Sequence, residues 1–371
     1  MSFYAIIYKG ISAMKIKRAL ATVLIVSTAL FCVSCRKGGN TGSDSSGVTP
    51  SAGQAKQIDV MKDWKDLNDP REKFPPAGTQ TGETSPRIVK TKYETRDIIV
   101  ADIVPTEMGY AVDPTGVTDS TDGIQQALYD CYYGGGGTVF LPAGNYAITD
   151  TITIPQGVTL RGDWQDPDIG TEYGTVFSVW MDSSEEDAGG AFSIYDSAGI
   201  VGVTVYYPFQ TLYEVLPYPF TFYVANTSQV ITIRDITVIN GYRGIGTSVE
   251  IPHEILIVDN FKGTFLKSGM ELNNQSDAGT VESVKISSKY WKEASAEYMN
   301  APVESEIDNY VKKNATGLII SDLEWTSFGD IAVDGYSIGI KIIPGYRINF
   351  AGSMLDVNIT NCGIGLLAQG I

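Results

Sequence analysis

Asp322 and Glu324, two positions apart in Ser321-Asp322-Leu323-Glu324-Trp325, are the residues whose types and spacing most directly suggest bond cleavage. On an extended strand, alternate side chains share one face. Two acids on one face meet the first requirement of glycoside hydrolysis: one carboxyl protonates the departing oxygen while the other attacks or activates water. The separation is ~5–5.5 Å for retention and ~6.5–9.5 Å for inversion. Trp325 beside them offers a platform for a sugar ring, and Asp330 follows as a third acid. The plainer reading is that all three are surface acids on a coil.

Two further groups carry chemistry. His253, the only histidine, sits in Glu250-Ile251-Pro252-His253-Glu254 and could act as a general acid or base; Pro252 instead suggests a bend. Tyr242-Arg243, with Lys267 and Arg347, could neutralise the carboxylate of a uronate, with Asp259 and Asp277 as companions, as a polysaccharide lyase needs. Trp291, Tyr206 and Tyr207 add aromatic surface for stacking on sugars. A Ser-His-Asp triad would have to use His253, and no GxSxG elbow exists. No GxGxxG or GxxxxGK[ST] occurs, and the run Gly134–Gly137 follows a helix instead of opening one, so nucleotide binding is excluded. No Cys or His spacing suits zinc, and no metal site is expected.

The elements that must hold these residues come from a chain of 371 residues, 43% hydrophobic and 19% charged, with 39 glycines and 21 tyrosines. This is globular composition rich in turns and strand-favouring aromatics. The net charge is −16; residues 1–34 carry Lys9, Lys15, Lys17 and Arg18 and no acid, leaving 23 basic against 43 acidic groups in the remainder. So negative a surface repels phosphate backbones, and nucleic acid is not an expected partner.

Met14-Lys15-Ile16-Lys17-Arg18 precedes an apolar run from Ala19 to Val33. A basic start, an apolar core too short to span a bilayer and a small residue at its end make a secretory signal, with Met14 as a candidate start. Phe31-Cys32-Val33-Ser34-Cys35 resembles a bacterial lipobox, although Cys32 stands where leucine is usual. The resemblance implies lipidation of Cys35 and an extracytoplasmic, surface or periplasm-facing location, with membrane contact through that lipid alone. A Gly/Ser-rich stretch follows, and residues 36–95 read as a tether with one short helix near Val60–Leu67. Of the remaining cysteines, Cys131 and Cys362 permit a disulfide but suit two buried thiols equally.

Residues 109–164 follow a legible order. Thr121 or Asp122 caps a helix over Gly123–Cys131, the glycines stop it, and Thr138–Leu141, Tyr146–Ile148, Thr151–Ile154 and Val158–Gly162 are strands parted by Pro/Gly turns. The phrases Gly116-Val117-Thr118-Asp119-Ser120-Thr121, Gly136–Tyr146 and Gly157-Val158-Thr159-Leu160-Arg161-Gly162 closely resemble the N-terminal capping module of the pectate-lyase superfamily. That resemblance, with relatives among family-28-like glycoside hydrolases, implies an all-β fold: a right-handed, single-stranded parallel β-helix with a capping helix, over residues 96–371. It also implies action on a polysaccharide. The Asn-Thr-Asp, Asp-Asp, Gly-His-Gly and Arg-Ile-Lys signatures of the polygalacturonase-like relatives are absent, as is the Gly-Gly-x-Gly-x-Asp calcium repeat.

Downstream, Val203–Val205, Ile236–Val238, Ile255–Ile257, Val284–Ile286, Ile331–Val333 and Val357–Ile359 share an apolar-x-apolar core at a loose solenoid period. A helical, acidic insertion interrupts them at Tyr290–Lys313, and Asn240, Asp259, Ser287, Asp334 and Asn361 are placed to make the bends. With no capping segment after Asn361, part of the solenoid is expected to be missing. The expectation is a secreted, anchored glycoside hydrolase needing no cofactor, with Asp322, Glu324 and Asp330 catalytic and Trp325, Tyr242, Arg243, His253 and Trp291 binding substrate. The alternatives are a calcium-dependent lyase acting on uronates and a non-catalytic glycan-binding solenoid.

Overall fold

The computed structural model describes residues 86–181, 186–225 and 227–370. The signal segment, Cys35, the tether as far as residue 85 and the short helix near residues 60–67 lie outside the described residues.

Each strand is too short to bury its apolar residues alone, so stability requires coil upon coil. The chain builds three parallel ladders. Sheet A holds Gly137–Leu141, Val158–Gly162 and the opening segments of Gly199–Tyr206, Val230–Thr247, Ile255–Leu272, Thr280–Ser287, Glu324–Asp334 and Ala351–Thr360. Sheet B holds Thr115–Asp119, Gly144–Ile148, Thr175–Val179 and the later segments of those long strands. Sheet C holds Ile152–Ile154, Gly190–Ile194, Phe220–Val224, the ends of Val230–Thr247 and Ile255–Leu272, and then Thr316–Ile320, Ile338–Ile342 and Ile364–Ala368. The result is the parallel β-helix, right-handed as parallel crossover connections are.

Sheet A passes into sheet B through a single left-handed residue, repeated as a column. Gly202, Asp235, Asn260, Ser283, Asp330 and Asp356 have φ of 75°, 54°, 57°, 54°, 51° and 50°. Gly, Asn and Asp adopt this conformation at least cost, which explains their choice. The bend thus falls one residue beyond the expected Asp259. Asn240 does a different job: its side-chain amide accepts from the Tyr207 amide and donates to the Tyr207 carbonyl, both at 2.9 Å.

Inside, aromatic rings run along the axis. Tyr146, Phe177, Phe192, Phe222, Phe261 and Phe265 follow one another with centroid separations of 6.1, 5.0, 5.5, 6.4 and 5.6 Å. Such contacts add about 0.5–1.5 kcal/mol each beyond their burial. The helix Thr121–Tyr133 closes the N-terminal end, burying Ile124, Ala127, Leu128 and Cys131. It starts earlier than the sequence suggests, and its first turn is held by Asp119, whose Oδ1 accepts from the Thr121 amide at 3.0 Å. The insertion is helical as expected, with Lys289–Lys292, Glu297–Met299 and Glu304–Asn314. Cys131 is buried, Cys362 half-buried, and both are free thiols.

Two sheets are crossed by other segments. Residues 86–95, read from sequence as tether, instead pack on the solenoid. Arg87–Ile88 pairs antiparallel with Val100–Ala101, and the Lys92 and Tyr93 amides donate to Asp163 at 2.5 and 3.2 Å. Arg96 then pairs with Asp235 and Asp259 at 3.1 and 2.9 Å, while Asp97 pairs with Arg161 at 3.1 Å and with Arg234 over sheet A. Over sheet B, the excursion 163–174 meets the insertion. Ser295 Oγ donates to the Thr171 carbonyl at 2.8 Å, and Lys262, Lys285 and Lys289 converge on Asp168 at 3.0, 2.9 and 2.9 Å. Burial would raise the Asp168 carboxyl, but the hydrogen bonds from these ammonium groups hold it well below the usual carboxylate range. Sheet C keeps Tyr223, Glu271, Ile319 and Lys341 half-exposed along its outer row.

Candidate active site on sheet C

The outer face of sheet C carries a set of interacting charges, Arg243, Lys267, Glu271 and Glu186. Glu271 alternates outward between the buried Met270 and Leu272, so strand geometry alone aims its carboxylate at solvent. Arg243 enters from the preceding coil, where it is the ladder partner of Ser268. Its guanidinium grips Glu271 with two bonds, Nε to Oε1 at 3.1 Å and Nη2 to Oε2 at 2.9 Å. This fork matches a carboxylate and fixes its plane. Ser268 Oγ donates a third bond to Glu271 Oε1 at 2.5 Å.

A second carboxylate arrives from a loop. Glu186 lies 3.6 Å from Arg243 Nη1 through Oε1, its carbonyl accepts from Nη1 at 3.2 Å, and Lys267 binds the same Oε1. Arg243 also stacks on the Phe220 ring, 3.5 Å from its centroid. That stack needs Gly246: a Cβ there would come within 2.5 Å of the Phe220 ring. Tyr242 flanks the group, its ring centroid 5.7 Å from the Lys267 ammonium. The arrangement holds two carboxylates beside one guanidinium, with aromatic surface on the same face.

A second cluster gathers at the corner from sheet C to sheet A, where short parallel bridges join His253 to Gln275 and Gln275 to Leu323. The corner brings His253, Asp322, Glu324, Trp325 and Arg347 into one region, though not as a catalytic pair. Asp322 has φ of 34° and Trp325 of 44°, so strand alternation fails and the two acids do not share a face by that rule. The Asp322 side chain is 5% exposed; it accepts from the Arg347 and Ile348 amides at 2.9 and 3.3 Å and pairs with the Arg347 guanidinium at 3.1 Å. Its lone pairs are thus used to fold the loop. Glu324 is half-buried, and its amide donates to the Gln275 carbonyl at 3.2 Å. Trp325 is 72% exposed.

His253 is buried, and neither ring nitrogen nor Gln275 Oε1 makes a well-directed hydrogen bond. Burial pushes the imidazole pKa down to about 4; contact with the Gln275 amide opposes this, and the Arg347 charge adds to it. The histidine is therefore neutral at physiological pH.

The remaining expected residues are dispersed. Asp330 is exposed at the bend between sheets A and B, the opposite end of its strand segment from Glu324. Trp291 is 1% exposed and donates Nε1 to the Met299 carbonyl at 3.3 Å, so it presents no face to a ligand. Tyr206 and Tyr207 are equally buried. Asp259 is tied to Arg96 on sheet A and Asp277 is exposed in a corner loop, so neither accompanies Arg243. Glu271 and Glu186 escaped sequence reasoning, because no local motif surrounds them. The signal that finds Glu271 is register: it pairs with Gly246, in the same rung as Arg243. Among the described residues, no three His, Cys, Asp or Glu side chains gather as a metal-binding group.

Among solved structures, the mannuronan C-5 epimerase A-module of Azotobacter vinelandii is similar at 13% identity and a TM-score of 0.33, over 72% of this chain and 98% of that one. Gene product 12 of bacteriophage phi29 is similar at 14% identity and a TM-score of 0.44, over 70% and 32%. The tailspike of Escherichia coli bacteriophage HK620 is similar at 15% identity and a TM-score of 0.40, over 67% and 42%. No curated protein matches the sequence. The model of one family matches residues 108–369, which spans the solenoid and both clusters: the chain belongs to the rhamnogalacturonase A/epimerase, pectate lyase-like family.

Proposed function

We propose that this chain is a secreted carbohydrate-active enzyme that lays a polysaccharide along sheet C and hydrolyses it with Glu271 and Glu186. The observation that carries the reading is the pair of carboxylates held by one guanidinium on a half-open face. Sharing Arg243 keeps them within the ~9.5 Å upper limit over which two carboxyl groups serve one glycosidic bond. In this reading Arg243 positions Glu271, and Lys267 positions Glu186. Tyr223 and Tyr242 supply surface for sugar rings. The family is named for a rhamnogalacturonase and an epimerase, which supports a polysaccharide as the partner.

The test uses a panel of plant, algal and microbial polysaccharides, read for new reducing ends and for the ultraviolet absorbance of unsaturated uronates, with and without calcium. Reducing ends that vanish in Glu271→Gln, while glycan binding persists, support hydrolysis at this site. Absorbing product dependent on calcium means a lyase, and glycan binding with no product means an adhesive solenoid; either result removes the hydrolase assignment. The basic-apolar leader and Ser34-Cys35 support export and lipid anchoring. Palmitate labelling that persists in Cys35→Ala would remove the anchor.

A further inference from the structure

Residues 87–101 form a hairpin with an apolar base and a charged tip. At the base, Arg87–Ile88 pairs with Val100–Ala101, and the Val89 amide donates to the Ile99 carbonyl at 3.0 Å. Ile99, Ala101 and Val104 are buried there with Phe140 of sheet A, and Val89 packs against them. The tip, residues 90–98, contains no buried residue, and Ile98 is 79% exposed. It lies over sheet A and roofs a cavity of about 400 Å³, with Arg161, Asp163 and Asp235 beneath it and Trp164 in one wall.

What holds the tip down is charge. Asp97 sits between two guanidinium groups, Arg161 at 3.1 Å and Arg234. Both arginines are ladder partners of Val201, so they stand in one row two rungs apart, roughly 10 Å. Asp97 is the acid that neutralises them together, and it belongs to the tip. Arg96, next in sequence, carries the opposite charge to Asp235 and Asp259, and its side chain is 61% exposed. At the other end of the tip, the Lys92 and Tyr93 amides donate to Asp163, and their side chains meet Glu172 at 2.7 and 2.5 Å. A segment with few buried apolar groups opens locally, without unfolding the rest of the chain. Exposed ion pairs are individually weak and are screened by salt, whereas the apolar base holds without them.

We propose that residues 90–98 are a salt-sensitive flap that lifts from sheet A on the base formed by residues 87–89 and 99–101, uncovering the cavity while the solenoid stays folded. Asp97 is its latch. The flap lies over sheet A and its opening is read without any substrate, so it stands or falls independently of the hydrolase reading on sheet C.

The experiment is hydrogen exchange on the full chain, read residue by residue in a mass spectrometer and normalised to an unstructured peptide of the flap sequence. It follows the Lys92 and Tyr93 amides, which Asp163 protects when the flap is closed. Raising NaCl from about 0.1 M to about 1 M shortens the screening length from ~10 Å to ~3 Å. The two amides should then exchange about fivefold faster or more, the scale of one or two lost exposed ion pairs. The ladder amides of Val158–Gly162 beneath them should keep their protection. Asp97→Asn should give a similar acceleration at the lower salt, with a thermal midpoint close to the parent's. The salt response uses the parent chain, so the result does not depend on how the variant folds. Flap amides that exchange only as slowly as those of Val158–Gly162, or that are unprotected at the lower salt, would overturn the proposal. So would a rate indifferent to salt, or a parental rate in Asp97→Asn.

Discussion

The Asp322–Arg347 corner and the Arg243–Glu271 face use the same chemistry, a carboxylate held by a guanidinium, to opposite ends. At the corner the acid is the more buried partner, and two backbone amides of the loop 343–350 converge on it. On sheet C the arginine is the more buried partner, 10% exposed, and the acids lie outside it at 21% and 31%. Which partner faces water decides what the pair can do. A carboxylate spent on backbone amides folds a loop, whereas one fixed from behind by an arginine keeps a free edge for a ligand.

Substitutions separate the two regions, and the largest effect belongs to sheet C. Glu271→Gln should lower turnover by ~10²–10⁴-fold with little loss of stability, since general acid–base groups contribute on that scale. Steady-state kinetics and a thermal melt measure both; turnover within twofold of the parent would move the site elsewhere. Asp322→Ala should do the reverse. It leaves Arg347 and two amides without their acceptor and should cost about 3 kcal/mol, the lower end for breaking a buried pair because Arg347 is one-third exposed. Denaturant unfolding reads this directly, and a large loss of activity without loss of stability would make Asp322 catalytic after all.

His253 gives the corner a pH signature. Its folded pKa of about 4 lies below the unfolded value of 6.5, so the unfolded chain binds the extra proton first as pH falls. Stability from this residue is complete above pH 6.5, declines as pH falls, and is fully lost below about pH 4. The whole change is about 3 kcal/mol, at roughly 1.4 kcal/mol per pKa unit. Melting curves across that window should slope less in His253→Gln, and equal slopes would mean that the imidazole is solvated. The smallest effect is at the bend: Asp330→Val should cost about 1–2 kcal/mol because a β-branched residue resists φ of 51°, while Asp330→Gly should be nearly neutral. Equal losses would show that the Asp330 carboxylate, not its backbone, matters.

The comparison also shows where sequence reading stops. Ile255–Ile257 looks like a member of the same series as Ile236–Val238, yet it belongs to sheet A; the partner of Ile236–Val238 in sheet B is Phe261–Gly263. Both segments have an apolar residue at each end or centre of a three-residue window, so composition does not assign them to a sheet. Asp322 and Glu324 looked like a facing pair because alternation was assumed, and the left-handed residues at 322 and 325 cancel it.

What the sequence determined by itself is local. The helix after Asp119, its glycine stop, the Pro/Gly turns of residues 137–162 and the helical insertion are each set by interactions within a few residues, so turn and capping chemistry suffices to read them. The solenoid class followed from that module together with recurring short strands. The pairing of Arg243 with Glu271, 28 positions on, and with Glu186, 57 positions back, was decided only in three dimensions. Lateral neighbours in a β-helix are fixed by the length of every intervening corner and by core rings stacking in register, and no short window of sequence contains that information.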